Sequence, residues 1–289
     1  MQKQSTNVEV LSGFAVATRK ANAYRPHGGP MHKIKHIRPA SPAIASTSSV
    51  SFAGCGALNF YQTGVAFALQ ETGHTGRLHF LGASAGAGLA FTTAAGLDAR
   101  KVAATMAQWI TGYGPGRLLK PAWAFEVATR FGEHFVNRER FEKVLGRLTV
   151  SVTEQAPLTN HLISSFSSES VLSEALIASC FIPYPGQWNT TCGTFRAMDG
   201  GFTNNQPAID SGTLRVSPFW FAPRATIRPT FKVHPMQALR VPTESECWWL
   251  FNQGFVDAQA WLVKPLSRPR KMGRLSRFPY PQSSKNRAA

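Results

Sequence analysis

No uninterrupted apolar run of about 18 residues occurs in this 289-residue sequence, so it predicts no membrane-spanning helix. Its first residues also lack the apolar core of a secretory signal. Cysteine is scarce: Cys55, Cys180, Cys192 and Cys247 show no metal-ligand spacing, and the positions of Cys55 and Cys180 suit reduced thiols. Acidic residues are few as well, 15 against 31 Lys and Arg, and no internal repeat is visible. A net charge of +16 points to nucleic acid until the charge is located.

The excess lies at the ends. Residues 1–47 hold seven Lys or Arg and the single acid Glu9, and residues 264–289 hold eight and no acid, which leaves 48–263 nearly balanced. Both ends are rich in Pro, Ser, Gly or other polar residues and have no sustained apolar period, so they read as disordered. They are either solvated tails or a hold on anionic phospholipid, where each basic residue contributes up to about 1 kcal/mol. Residues 1–47 also fit an organelle-targeting extension, being rich in Ser, Thr and Arg. No zinc spacing, RNP-like motif or recognition helix is present, so no nucleic acid partner is expected.

What the middle of the chain does contain is Gly82-Ala83-Ser84-Ala85-Gly86, between the strand-like run Leu78 to Leu81 and a small-residue helix from Ala85 to Ala95. A serine on a sharp strand-to-helix turn is exposed for nucleophilic attack, and flanking glycines remove the Cβ clashes of such a turn. The helix dipole at that point favours an ionising oxygen. The same five residues also fit a glycine-rich turn that only packs a helix on a sheet. Upstream, strand-like Val50-Ser51-Phe52 runs into Gly54-Cys55-Gly56, followed by a helix from Phe60 to Glu71. Unpaired amides in such a loop suit an oxyanion hole, where one donor is commonly worth about 3 kcal/mol of barrier. Downstream, strand-like Thr194 to Ala197 leads to Met198-Asp199-Gly200-Gly201 and then Asn204, Asn205 and Pro207. Asp199 is placed either to approach another loop or to form an Asx-type turn.

These three pieces, in this order, resemble the patatin-like phospholipase family, and within it the adipose triglyceride lipase branch. The similarity covers about residues 49–263 and includes Ala175 to Pro183, which matches the family's helix before the aspartate, and Thr213 to Phe219. The resemblance implies an α/β fold, a patatin-like three-layer sandwich of mostly parallel sheet with helices on both faces. It implies a Ser84–Asp199 dyad, with Gly54, Cys55 and Gly56 as oxyanion loop, Gly82 and Gly86 flanking the elbow, and Gly200 and Gly201 in the Asp-Gly-Gly motif. The implied activity is lipid acyl-ester hydrolysis of triacylglycerol or phospholipid at a lipid–water interface, with no metal or organic cofactor. Acyl transfer by the same dyad and non-catalytic lipid-surface binding are the alternatives. The implied location is intracellular: cytoplasmic, or peripheral on a lipid droplet or membrane.

The order Ser84, Asp199, His234 also fits the triad of ordinary α/β-hydrolases, but His234 in Lys-Val-His-Pro matches nothing in the resemblance and reads as structural or surface. The family's glycine loop usually ends in a basic residue and glycine, where this chain has Leu58 and Asn59; Asn59 is expected to tolerate the turn or cap the helix. Residues 123–148 read as mainly helical with a solvated charged face, 148–153 and 158–166 as strands, 169–179 as helix, 214–217 as strand and 244–262 as helix. In Phe219-Trp220-Phe221 and Trp248-Trp249-Leu250-Phe251, adjacent aromatics cannot all face one core, so some are expected at the surface; Trp109 reads as core.

Overall fold

The structure, a computed structural model, describes residues 42–263. The basic extensions expected at 1–47 and 264–289 therefore lie outside the described residues, except for 42–47. There the chain is already structured: Pro42–Ala45 form a short helix, α1, and Ile44 is fully buried.

Along the chain follow β1 (Ser49–Phe52), α2 (Asn59–Gln70), β2 (His79–Ala83), α3 (Ala85–Ala94), α4 (Ala99–Thr111), α5 (Pro121–Phe135), α6 (Arg138–Val144), β3 (Leu148–Glu154) and β4 (Thr159–Ile163). Then come α7 (Glu169–Ser179), β5 (Thr190–Cys192), β6 (Phe195–Asp199), α8 (Gly201–Asn204), β7 (Leu214–Val216) and α9 (Glu244–Leu262). The seven strands form one sheet in the order β5-β6-β3-β2-β1-β7, with β4 also paired to β3. The run β7-β1-β2-β3 is parallel, while β3–β4, β3–β6 and β5–β6 are antiparallel. The fold is thus the expected α/β architecture, a mostly parallel mixed sheet with helices around it. Every residue of β1 is buried, as is all of β3 but Glu154, the pattern of parallel strands covered on both faces.

Helix ends follow local chemistry. Asp98 caps α4 by accepting from the amides of Arg100 and Lys101, Ser168 caps α7, and Thr243 with Glu246 forms a capping box at α9. The helical stretch expected over 123–148 is split at Val136–Asn137, because Asn137 accepts from the Arg140 amide and starts α6 anew. Its exposed face carries the i,i+4 pairs Arg138–Glu142 and Glu139–Lys143, as the charge pattern suggested. The strand expected over 158–166 shortens to β4.

Where α2 crosses α9 the two backbones come into direct contact, with Phe67 packed on Phe251 and Phe255 beside the crossing. A Cβ built on Gly64 would lie 1.9 Å from the Phe251 carbonyl oxygen, and one on Gly254 would lie 1.8 Å from that of Tyr61. Only glycine permits so close a crossing, and it fixes the helix that follows the glycine loop. The Tyr61 hydroxyl, at 2.9 Å from Asp257, adds a polar tie between the same helices. The aromatic clusters divide as expected: Trp220, Phe221 and Trp249 are exposed, whereas Phe251 packs on Phe67 and Trp109 is buried.

Candidate active site

β2 ends at Ala83 and α3 begins at Ala85, so Ser84 alone makes the turn between them. It adopts φ 53° and ψ −134°, and is the one non-glycine residue with positive φ among the described residues. Such a conformation costs on the order of 1–3 kcal/mol and persists only when its surroundings enforce it. The enforcement is visible on both sides. A Cβ on Gly82 would lie 2.3 Å from the Gly86 carbonyl oxygen, and one on Gly86 would lie 2.4 Å from the Phe52 carbonyl oxygen. Both glycines are dictated by backbone approach, which brings the start of α3 against the ends of β1 and β2. Ser84 is partly exposed at the positive end of a ten-residue helix.

Asp199 is the last residue of β6, paired opposite Val152 of β3. Its amide donates to the Phe181 carbonyl at 2.7 Å, and its own carbonyl accepts from Thr153 Oγ1 at 2.8 Å. With the backbone held at both ends, the carboxylate accepts from the Gly201 amide at 2.7 Å. Gly200 next to it has no room for a side chain, a Cβ there falling 2.0 Å from the Ser151 carbonyl oxygen. Burial pushes the Asp199 carboxyl up from 3.8 to about 6, against hydrogen bonding from the Ser84 hydroxyl and the Gly201 amide, which pulls it down. The two distant loops therefore meet: the serine hydroxyl faces a carboxylate whose proton affinity is close to neutrality.

The glycine loop lies beside them. A Cβ on Gly54 would lie 3.1 Å from Ser84 Cβ and 2.5 Å from Asn205 Oδ1, so Gly54 is the point of contact among the three segments. Its amide donates to the Asn205 carbonyl at 3.1 Å and is not free to meet a ligand. The amides of Cys55 and Gly56, by contrast, have no backbone partner among the described residues. Gly56 has φ 49° and backs directly on the Ala238 carbonyl. Asn59 does not cap α2 and has ordinary helical geometry. Its Nδ2 instead donates to the Ala85 carbonyl at 3.1 Å, tying the glycine loop to the turn at Ser84.

Ser84, Asp199, Cys55 and Gly56 open on a cavity of about 610 Å³. Its far walls are apolar, with Val102, Met106 and Ile110 from α4 and Val127, Ala128 and Phe131 from α5. Gly88 of α3 packs directly on the Phe131 ring in its wall, a Cβ there reaching the ring at 3.2 Å. Leu118, Phe202 and Leu239 line it while remaining exposed, a large apolar side chain in solvent at each position.

His234 is elsewhere. It is exposed, caps the short turn Pro235–Leu239 by accepting from the Met236 amide at 3.3 Å, and lines no part of the cavity, in keeping with a surface role. Among the described residues no cluster of three or more His, Cys, Asp or Glu could hold a metal ion.

Several residues that build the site escaped sequence reasoning. Gln62, fully buried in α2, clasps the end of β1: its side chain accepts from the Ala53 amide and donates to the Ala53 carbonyl, both at 2.8 Å, and the same amide also donates to the Val216 carbonyl. A glutamine within an apolar helical period was the available signal. Cys180 lies against Ser84 and Asp199, and burial with the nearby carboxylate drives its thiol pKa far up. Ser179 is fully buried between the elbow and β3, and nothing in its sequence context separates it from a helix-end serine.

No family model matches the chain. Among curated proteins, it is 32% identical to human "Omega-hydroxyceramide transacylase" over 59% of this chain and 34% of that protein. It is 33% identical to mouse "Patatin-like phospholipase domain-containing protein 2" over 59% of this chain and 37% of that protein. Human "Patatin-like phospholipase domain-containing protein 4" is 30% identical over 75% of this chain and 96% of its own length. The chain thus spans little more than a third of the first two relatives and almost all of the third.

Proposed function

Because this chain belongs to the patatin-like phospholipase family, we propose that it is a lipid acyl-ester hydrolase in which Ser84 is the nucleophile and Asp199 its base. Asp199 takes the hydroxyl proton as Ser84 Oγ attacks the ester carbonyl. The oxygen that gains negative charge is met by the amides of Cys55 and Gly56 and by the positive end of α3. As the alcohol leaves it receives the proton from Asp199, and the acyl group remains on Ser84 with its chain in the apolar cavity. Water, deprotonated by the same carboxylate, then releases the fatty acid. A carboxylate with pKa about 6 suits this exchange, since it is ionised at neutral pH yet basic enough to hold a proton in the transition state. The observation that carries the reading is the strained Ser84 held beside buried Asp199 at the mouth of an apolar cavity.

Triacylglycerol or phospholipid is the proposed substrate class. A cavity with almost wholly apolar walls suits an acyl chain, and the exposed Leu118, Phe202 and Leu239 at its rim suit contact with a lipid surface. Arg117 and Lys120, which bracket Leu118-Leu119 and sit over the Trp123 ring, would favour anionic lipid there. Among the described residues no helix is long and apolar enough to cross a membrane, so the proposed association is peripheral, with a membrane or lipid droplet. Acyl transfer is the second reading, favoured by the transacylase among the relatives: an alcohol in place of water at the last step gives a new ester.

A fluorophosphonate probe tests the nucleophile. Labelling is expected in the wild type, absent in Ser84→Ala and strongly slowed in Asp199→Asn; labelling that survived Ser84→Ala would exclude the dyad. Profiling of neutral glycerides and phospholipids, with and without an alcohol acceptor, separates hydrolysis from transfer. A protein that binds lipid vesicles but turns over none of these would be a lipid-surface binder instead.

A further inference from the structure

The hydroxyl of Ser179 is inserted between the nucleophile turn and the sheet. Ser84 donates its amide to Ser179 Oγ at 2.8 Å, and Ser179 Oγ donates in turn to the Ser151 carbonyl at 2.7 Å. β2 and β3 pair in parallel up to Ala83 opposite Ser151, so the hydroxyl takes up the ladder where direct pairing ends. It bridges the gap that opens as the chain turns away at Ser84. Ser179 is fully buried, which leaves no water to replace it.

The same short segment also holds the acid. The Ser179 carbonyl accepts from the Gly200 amide at 3.2 Å, and the Phe181 carbonyl accepts from the Asp199 amide at 2.7 Å. Residues 179–181 are therefore bonded to both Ser84 and the Asp199 turn, through a side chain on one side and the backbone on the other. Ser84 has a conformation that its own backbone disfavours, so its position depends on outside bonds more than that of Asp199, whose strand pairing fixes it independently.

We propose that Ser179 is a positioning residue: its hydroxyl holds the Ser84 turn in register with Asp199, and so sets the rate of the attack step. The proposal rests on the reading of Ser84 as nucleophile, and it concerns the hydroxyl alone, because the bonds from the Ser179 and Phe181 carbonyls survive any side-chain change.

Ser179→Thr and Ser179→Val test it. They have nearly the same volume and differ only in whether a hydroxyl is present, so any cost of fitting a larger side chain falls on both. With a soluble ester, Ser179→Val is expected to show a kcat at least 30-fold below that of Ser179→Thr, with KM within about twofold between the two. The ascending limb of the pH–rate profile is expected to stay in place or move upward, because the bonds to the Asp199 turn are untouched and the Ser84 hydroxyl, which holds the Asp199 carboxyl down, loses its register. Fluorophosphonate labelling rates should fall in parallel with kcat. Equal kcat in the two variants, or a loss carried by KM, would overturn the proposal, as would a pH limb displaced downward. Should neither accept the larger side chain, Ser179→Ala against the wild type removes the hydroxyl without adding volume, and an unchanged kcat there overturns it too. Failure of the underlying reading is separate, since it would appear as labelling of Ser84→Ala.

Discussion

Replacing Asp199 by Asn is expected to abolish turnover and at the same time to make the folded protein more stable at alkaline pH. The carboxyl is almost fully buried and its pKa rises from 3.8 to about 6 on folding. Between these values the folded protein keeps a proton that the unfolded chain has already released, so stability is lost as the pH rises through that window. The rise corresponds to about 3 kcal/mol, fully felt above pH 7 and absent below pH 3. Asparagine is neutral at every pH and nearly isosteric. Its Oδ1 can still accept from the Gly201 amide, and its NH₂ can donate to the Ser84 hydroxyl oxygen. Asp199→Asn should therefore exceed the wild type by up to about 3 kcal/mol at pH 8, with the gap closing toward pH 4. Urea unfolding at a series of pH values reads the difference directly. In the wild type, kcat/KM should fall with decreasing pH below about 6, as the base becomes protonated. A variant that is less stable than the wild type at pH 8, or a gap that does not change with pH, would refute the assignment of a desolvated carboxylate.

Other perturbations follow from single contacts. Gly88→Val would press on the Phe131 ring and push it into the cavity, so activity should shift toward shorter acyl esters by about fourfold in relative kcat/KM per methylene excluded; a chain-length series on p-nitrophenyl esters measures it. Gly254→Ala would drive a methyl into the Tyr61 carbonyl and force α9 off α2, at a cost of about 1–3 kcal/mol, visible as a Tm lower by on the order of 5 °C in a thermal melt. Cys55 should resist iodoacetamide at pH 8 in the folded protein and react once it is unfolded, because burial holds its thiol protonated; mass spectrometry of the alkylated peptide checks this.

The parts of the site legible in the sequence are those set by local backbone geometry. Gly82 and Gly86 flank a turn that only small residues permit, and the change from strand to helical periodicity at Ser84 marks where it must lie. Asp199 could be placed at a strand end for the same reason. What the sequence left hidden depends on which segments meet. Nothing near Gly54 signals that its amide is already taken by Asn205, more than a hundred residues away. Asn59 reads as a cap by local preference, but its side chain is drawn instead to the Ala85 carbonyl. The split of the long helical stretch at Asn137 was readable in principle, since an asparagine before Arg-Glu-Arg is a cap signal, but the charged face on either side obscured it. The upper part of the expected 158–166 strand carries Ser164 and Ser165 and finds no partner strand among those described.

The bond from the Gly54 amide to the Asn205 carbonyl has a mechanical meaning. It rivets the segment that would receive the substrate's oxygen to the segment that carries the acid, with Asn205 Oδ1 wedged at the joint between Gly54 and Gly201. Neither can swing outward alone. A ligand would then have to pass the rim around Leu118 and Leu239, with these two segments held together as one fixed wall beside it.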